Sequence, residues 1–243
     1  MAITKFTLTV TSTSIKAEQL MIVLNPNLIA QEGSNYENYF PVAWKILRFS
    51  KNSNHGEHDV GPAASKPIAV NFDTNLTVIL QEIIENNVVS SADYQFVKST
   101  GQQFELYKQT NNQFALQPNG KAPQGSACIV DQVGRDFPVG LGDKKGDSYL
   151  TMPIADTETI VFEFDAEFAV VPIGPTVQDQ SKLVSGSVHK PWYSFKLSDL
   201  QSEQIAFTFD GSNLSLEKGF KVPVVHHPSN DPVFPGKASY KEE

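Results

Sequence analysis

Apolar and polar residues alternate along most of this chain, most sharply between Ile160 and Val170. Ile160, Phe162, Phe164, Phe168 and Val170 fall on one side of an extended backbone, and Glu163, Asp165 and Glu167 on the other. Side chains of a strand point to opposite faces in turn, so a single strand here carries one apolar and one anionic face. Antiparallel sheets with one packed and one wetted side read this way. Phe6-Thr7-Leu8-Thr9-Val10-Thr11 repeats the rhythm with its threonines on the wet face. Leu20 to Leu24 is apolar on both faces, which predicts a central buried strand stopped by Asn25-Pro26-Asn27.

Further strands are expected at Val42 to Phe49, which carries Trp44, and at Ile68 to Phe72. Between them, Ser50 to Lys66 is polar and rich in Gly and Asn, the composition of a long flap loop. Leu76, Leu80 and Ile84 sit four apart as on a helix, yet Thr77, Val78, Ile79, Ile83 and Ile84 are β-branched. Stiff β-branched side chains favour strand over a short helix at 76–84. Short strands follow near Tyr94–Val97, Phe104–Tyr107, Gln113–Leu116 and Ala127–Val130, separated by turn residues. Ile205–Phe209 and Leu214–Leu216 flank Asp210-Gly211-Ser212-Asn213, a hairpin pattern. Pro223, Pro228, Pro232 and Pro235 forbid a regular helix or a central strand beyond Val222. The expected fold is all-β: one antiparallel β-sandwich, or a distorted barrel, over residues 1–221 and an extended proline-rich tail over 222–243.

Composition narrows the partners. The 243 residues are 40% hydrophobic with 16 Phe, enough for a sizeable core between sheets. The net charge is -8, and of 19 basic residues only Arg48 and Arg135 are arginine. Nucleic acid and anionic membrane both demand a concentrated basic footprint, so neither is an expected partner. No apolar run is long enough to span a bilayer. Cys128 is the only cysteine, and the N-terminus shows no signal-peptide pattern, which together favour a soluble cytoplasmic protein. A small molecule or a glycan fits such a protein, and a homo-oligomer is compatible with it.

Four of the five histidines lie in two clusters, His55 and His58 within His55-Gly56-Glu57-His58-Asp59, and His226-His227 in the tail. Zinc or copper could use these imidazoles if the tail folded back onto the flap. Two unrelated solvated loops are the simpler reading, since neither cluster sits on the helix that gives a zincin motif its geometry. Glu163, Asp165 and Glu167, about 7 Å apart from one to the next on a strand, read as a solvated face or a calcium-binding row. Gly140 to Ser148 lacks the spacing of a phosphate loop and reads as a turn. Cys128, between Ala127 and Ile129, reads as a small buried hydrophobe. Trp192 and Tyr193, with Trp44, are the candidate ligand platform, because exposed aromatic rings stack on sugars or aromatic ligands. The competing reading is that these rings pack in the core.

Three stretches resemble a family of small β-rich proteins, the RhiA-like proteins of root-associated bacteria. They are Phe6 to Thr11, Phe40-Pro41-Val42-Ala43-Trp44, and Gln124 to Val130 running on to Pro138-Val139-Gly140-Leu141-Gly142. The segment 50–66 and the tail fall outside the likeness. The resemblance implies an accumulated intracellular β-sandwich and brings no catalytic residue, cofactor or substrate. The leading functional expectation is therefore a non-catalytic binding or accumulated protein. Its rivals are an enzyme with a histidine and carboxylate site at one end of the sandwich, and a lectin-like module centred on Trp192.

Overall fold

The structure, a computed structural model, describes residues 5–14, 16, 18–24, 29–30, 40–50, 66–73, 75–163, 167–173, 177–183, 192–196, 199–218 and 225–227. Most of the flap and of the tail, with His55 and His58, lies outside the described residues. The fold is all-β: strands make up four sheets, and the helical element among the described residues is one 3-10 turn at Glu85–Asn87.

The first sheet has the order β18 (Leu214–Lys218), β17 (Gln204–Phe209), β1 (Lys5–Ser12), β6 (Ile68–Asp73). The second runs β10 (Phe114–Lys121), β9 (Gln102–Lys108), β11 (Ser126–Val130), β14 (Thr159–Glu163), β3 (Ile29–Ala30). The third is β4 (Phe40–Pro41), β13 (Leu150–Ile154), β12 (Phe137–Gly142), β7 (Thr77–Ile84), β8 (Val88–Phe96). The fourth is β19 (Val225–His227), β16 (Trp192–Lys196), β15 (Glu167–Ile173), β2 (Glu18–Leu24), β5 (Lys45–Phe49). None of these sheets closes into a barrel. Most pairs are antiparallel, but β1 with β17 and β9 with β11 are parallel.

One core collects side chains from all four sheets, among them Phe6, Leu8 and Val10 of β1, Ile22 of β2, Val78 and Leu80 of β7, and Phe104 of β9. The expected strand at 76–84 is β7, with Val78 and Leu80 turned to this core. β2 lies between β15 and β5, as its two apolar faces demand: Leu20 and Ile22 join the main core, while Met21 and Val23 join a second cluster with Ala169, Val171 and Leu183. The 205–216 hairpin is present as β17 and β18, closed by a hydrogen bond from the Asp210 N–H to the Asn213 carbonyl at 3.1 Å.

Two expectations change. The Ile160–Val170 stretch is not one strand, because β14 pairs with β11 and β3 while β15 pairs with β16 and β2. Phe162 and Phe168 keep the same inward phase across the change of sheet, so the alternation survives although the strand does not. Glu163 and Glu167 therefore stand on different sheets, and Asp165 lies outside the described residues. The tail also contributes structure, since Val225–His227 forms the edge strand β19 beside β16.

Gly140 and Gly142 show how the third sheet is covered. A Cβ on Gly142 would lie 2.2 Å from Ile79 Cδ1 and 2.5 Å from the Asp147 carbonyl oxygen, and one on Gly140 would lie 2.1 Å from the Leu150 carbonyl oxygen. The turn after β12 thus folds tightly over β7, closed by the Asp143 N–H on the Asp147 carbonyl at 2.9 Å. Gln81, buried on β7, donates to Ser148 Oγ at 2.9 Å and to the Leu150 carbonyl at 2.8 Å from beneath this turn.

Candidate functional site

Trp44 and Tyr193 belong to the core. Trp44 is 2% exposed and Tyr193 7%, so neither offers a free ring face to a ligand. The Trp44 ring meets Tyr149 edge-on at 5.0 Å and Phe72 at 5.9 Å, and its Nε1–H donates to Asp143 Oδ2 at 3.4 Å. Large aromatic area gains most by leaving water, and here that gain places the rings inside. Trp192 and Tyr193 stand opposite His227 and His226 in the β16–β19 register, so one histidine cluster and part of the aromatic platform are neighbours along the backbone. Among the described residues no group of three or more His, Cys, Asp or Glu side chains could hold a metal. Cys128 is buried, and burial pushes its thiol pKa up, the condition of an unreactive cysteine.

A groove lies elsewhere, lined by β7 and β8 of the third sheet, the start of β10 of the second and the loop before β12. It measures about 800 Å³, within the span of about 300–1,000 Å³ common for small-molecule sites. Leu80 to Ile84 of β7, Phe114 and Ala115 of β10, and Phe137 and Pro138 of β12 line it, with Gln109, Gln113 and Asp136 adding polar surface. Leu80 and Ala115 are buried, whereas Ile84 is 51% exposed, so the groove grades from core to solvent.

A bulge shapes its inner side. The β7–β8 register moves from Leu80↔Asp93 to Gln81↔Ser91, leaving Ala92 as the extra residue. Bulges re-aim the side chains beside them. Asp93, next to the bulge, turns its Oδ2 to accept the Leu116 N–H at 2.8 Å and ties β8 to β10 across the two sheets.

Arg135 supplies the charge. It sits in the loop from Asp131 to Asp136, which is pinned at several points. Asp131 Oδ1 accepts the Val133 N–H at 2.9 Å, Asp156 Oδ1 accepts the Gly134 N–H at 2.9 Å, and the Asp131 N–H donates to the Glu158 carbonyl at 3.0 Å. Gly134 has φ of 84°, a conformation that glycine adopts without steric cost. The loop lays the Arg135 guanidinium carbon 4.5 Å from the centroids of both Phe114 and Phe137, whose rings are 4.7 Å apart. Such cation–π contacts contribute about 0.5–2 kcal/mol each, depending on exposure. No ion pair joins Arg135 to any carboxylate among the described residues.

A second groove of about 560 Å³ lies where β1 and β6 meet the 143–147 turn. Lys5, Lys45, Lys144 and Lys145 line it together with Asp73, Asp143 and Glu203. Two of its four lysines are paired: Lys45 Nζ is 2.5 Å from Asp147 and Lys144 Nζ 3.5 Å from Asp73. Asp143 is occupied by Trp44 and by the Lys145 and Asp147 N–H groups. Beneath this turn Tyr149 is fully buried with no hydrogen-bond partner for its hydroxyl, and burial, then the charges of Asp143, Asp73 and Asp147, push its pKa well above 10.0. These contacts fix a turn to the core.

Sequence reasoning passed over the residues of the groove beside Arg135. Arg135 stood out only as one of two arginines. Its partners Phe114 and Phe137 lie on β10 and β12, in different sheets, and no spacing along the chain links them to it.

The fold and groove define an all-β sandwich protein with a partly apolar, partly charged cleft beside Arg135. No family model matches the chain, and no curated protein or solved structure matches it. Among the described residues no helix is long and apolar enough to cross a membrane.

Proposed function

We propose that this protein is an intracellular, non-catalytic binding protein that holds a small molecule in the groove beside Arg135. The single observation that carries this reading is the groove itself: a cleft of small-molecule size whose wall runs from the buried Leu80 to the half-exposed Ile84, beside an arginine already fixed in place. A ligand there would bury apolar area on the exposed part of Ile84, at about 25 cal/mol for each Å² removed from water. The resemblance to RhiA-like proteins and the single buried cysteine support the same reading. The metal-site reading needs His55 and His58, and the lectin reading centres on Trp192. His55 and His58 lie outside the described residues, and nothing in the groove favours either reading.

The test is a ligand-observed NMR screen of a mixed library of small acids, amines and neutral aromatics against the wild type and Ile84→Trp. The indole would fill the groove from its exposed wall without touching the core. Hits should be saturable and lost in Ile84→Trp. A screen with no hits, or hits indifferent to that substitution, would refute the proposal.

A further inference from the structure

We infer that the chain carries a self-modification site: Asn119 closes on the backbone nitrogen of Gly120 and converts, without an enzyme, to aspartate and isoaspartate. The site lies apart from the groove beside Arg135 and does not depend on the binding reading.

The sequence supplies the reactive pair. Asn119-Gly120 is the only Asn-Gly pair in the 243 residues. A following glycine has no side chain to shield its own nitrogen or to restrict the backbone, so the ring that joins the two residues closes more readily than beside a bulkier neighbour. The Gly120 nitrogen gives up its proton to hydroxide and bonds to Asn119 Cγ. The Cγ–Nδ2 bond breaks, and Nδ2 leaves as ammonia with a proton from water. The resulting succinimide then takes up one water. Opening at Cγ gives aspartate, and opening at the main-chain carbonyl gives isoaspartate, with the chain rerouted through Cγ. One water enters, one ammonia leaves, and nothing is oxidised or reduced.

The fold places this pair outside the sheet ladder. β10 pairs with β9 up to Pro118↔Phe104 and resumes at Lys121↔Gln102, so Asn119 and Gly120 fall in the bulge with no residue opposite them. A bulge interrupts the ladder that would otherwise hold the backbone. Both residues are exposed, which admits the water and hydroxide the reaction needs. Gly120 has φ of 110°, a conformation open to glycine. Asp210-Gly211, the related acid pair, differs: its carboxylate is held by the Ser212 and Asn213 N–H groups.

The surroundings fix what the product does. Asn119 Nδ2 donates to Glu105 Oε2, and Gln103 Nε2 donates to the Asn119 carbonyl at 2.8 Å. Conversion removes the Nδ2 donor and sets a new carboxylate beside that of Glu105, so an attraction becomes a repulsion between like charges. Modification therefore weakens the end of the β9–β10 pair, and Glu105 is the residue that senses it.

The experiment ages the purified full chain at mildly alkaline pH and maps it by mass spectrometry. The tryptic peptide 109–121 also holds Asn111 and Asn112, both exposed, as internal controls. Asn119 should convert at least tenfold faster than either, as a mixture of aspartate and isoaspartate, and faster as pH rises. Asn119→Gln should remove the isoaspartate signal from this peptide. Equal rates at the three asparagines, or a signal that survives Asn119→Gln, overturns the site. Asn119→Asp should melt below wild type, and adding Glu105→Gln should close at least half of that gap. A gap that is absent, or that Glu105→Gln leaves unchanged, overturns the role of Glu105.

Discussion

Replacing Gly142 by Ala sets two opposing effects against each other, and the structure says which wins. Gly142 does not have a positive φ, so alanine can adopt its backbone conformation. On backbone entropy alone Gly→Ala would then stabilise by about 0.4–1 kcal/mol. Sterics oppose this. The new methyl would sit 2.2 Å from Ile79 Cδ1 and 2.5 Å from the Asp147 carbonyl oxygen, where ordinary contacts are at least about 1 Å longer. The Ile79 methyl can rotate away, but the carbonyl belongs to the tight 143–147 turn and cannot. Overpacking of this kind costs about 1–3 kcal/mol and exceeds the entropic gain. Urea unfolding followed by tryptophan fluorescence should therefore show a lower midpoint with an unchanged slope. Net of the entropic gain the loss reaches about 2.6 kcal/mol, so the melting temperature should fall by up to about 10 °C, given roughly 2–4 °C per kcal/mol for a chain of this size. Ile79→Val, costing about 0.5–1.5 kcal/mol alone, removes one of the two clashing atoms. The double variant should thus be more stable than the sum of the single losses by at least about 0.5 kcal/mol. A Gly142→Ala protein as stable as wild type would mean that the turn does not lie over β7.

The remaining predictions concern single polar groups. Tyr149→Phe removes a buried hydroxyl without a partner and leaves the ring contacts with Trp44 and Phe72 intact, so stability should hold or rise by up to about 1–3 kcal/mol. A loss above about 1 kcal/mol in calorimetry would show that the hydroxyl is satisfied. Asp131 has no exposed surface, and burial first, then Asp156 and Asp136, raises its pKa despite the Val133 N–H bond. Its raised folded pKa means stability is lost as pH climbs from the ordinary value of 3.8 through the folded value. Asp131→Asn should therefore gain on wild type as pH climbs through that window, and melting curves with no such divergence would refute the reasoning. Asp210 runs the other way. The Asn213 and Ser212 N–H groups hold its pKa below 3.8, so its contribution is present above 3.8 and lost as pH falls through the folded value. Asp210→Ala should flatten the acid limb of the stability profile, and an unaltered limb would count against it.

What could be read from the chain divides along a physical line. Burial is a local property of a strand: whether Phe6, Leu8 and Val10 face inward depends on their own alternation, so β1, β7 and the β17–β18 hairpin were legible. Pairing is not local. At 160–170 the alternation runs unbroken through a change of sheet because inward phase is all it encodes, and Phe162 and Phe168 keep that phase with different neighbours. The parallel β1–β17 and β9–β11 pairs were invisible for the same reason.

The groove depends on pairing at every point. Its parts come from β7, the β8 bulge, the start of β10 and the loop before β12, and no two of these are linked by a spacing rule. The aromatic residues offered as a platform pack in the core, the simpler of their two readings, for an energetic reason. Trp44 and Tyr193 carry large apolar surfaces, and in a sandwich with so much core to fill, that area outweighs their polar tips. Arg135 carries the opposite lesson. Its planar cation cannot enter the core without a partner, so the fold holds it at the core's edge against Phe114 and Phe137.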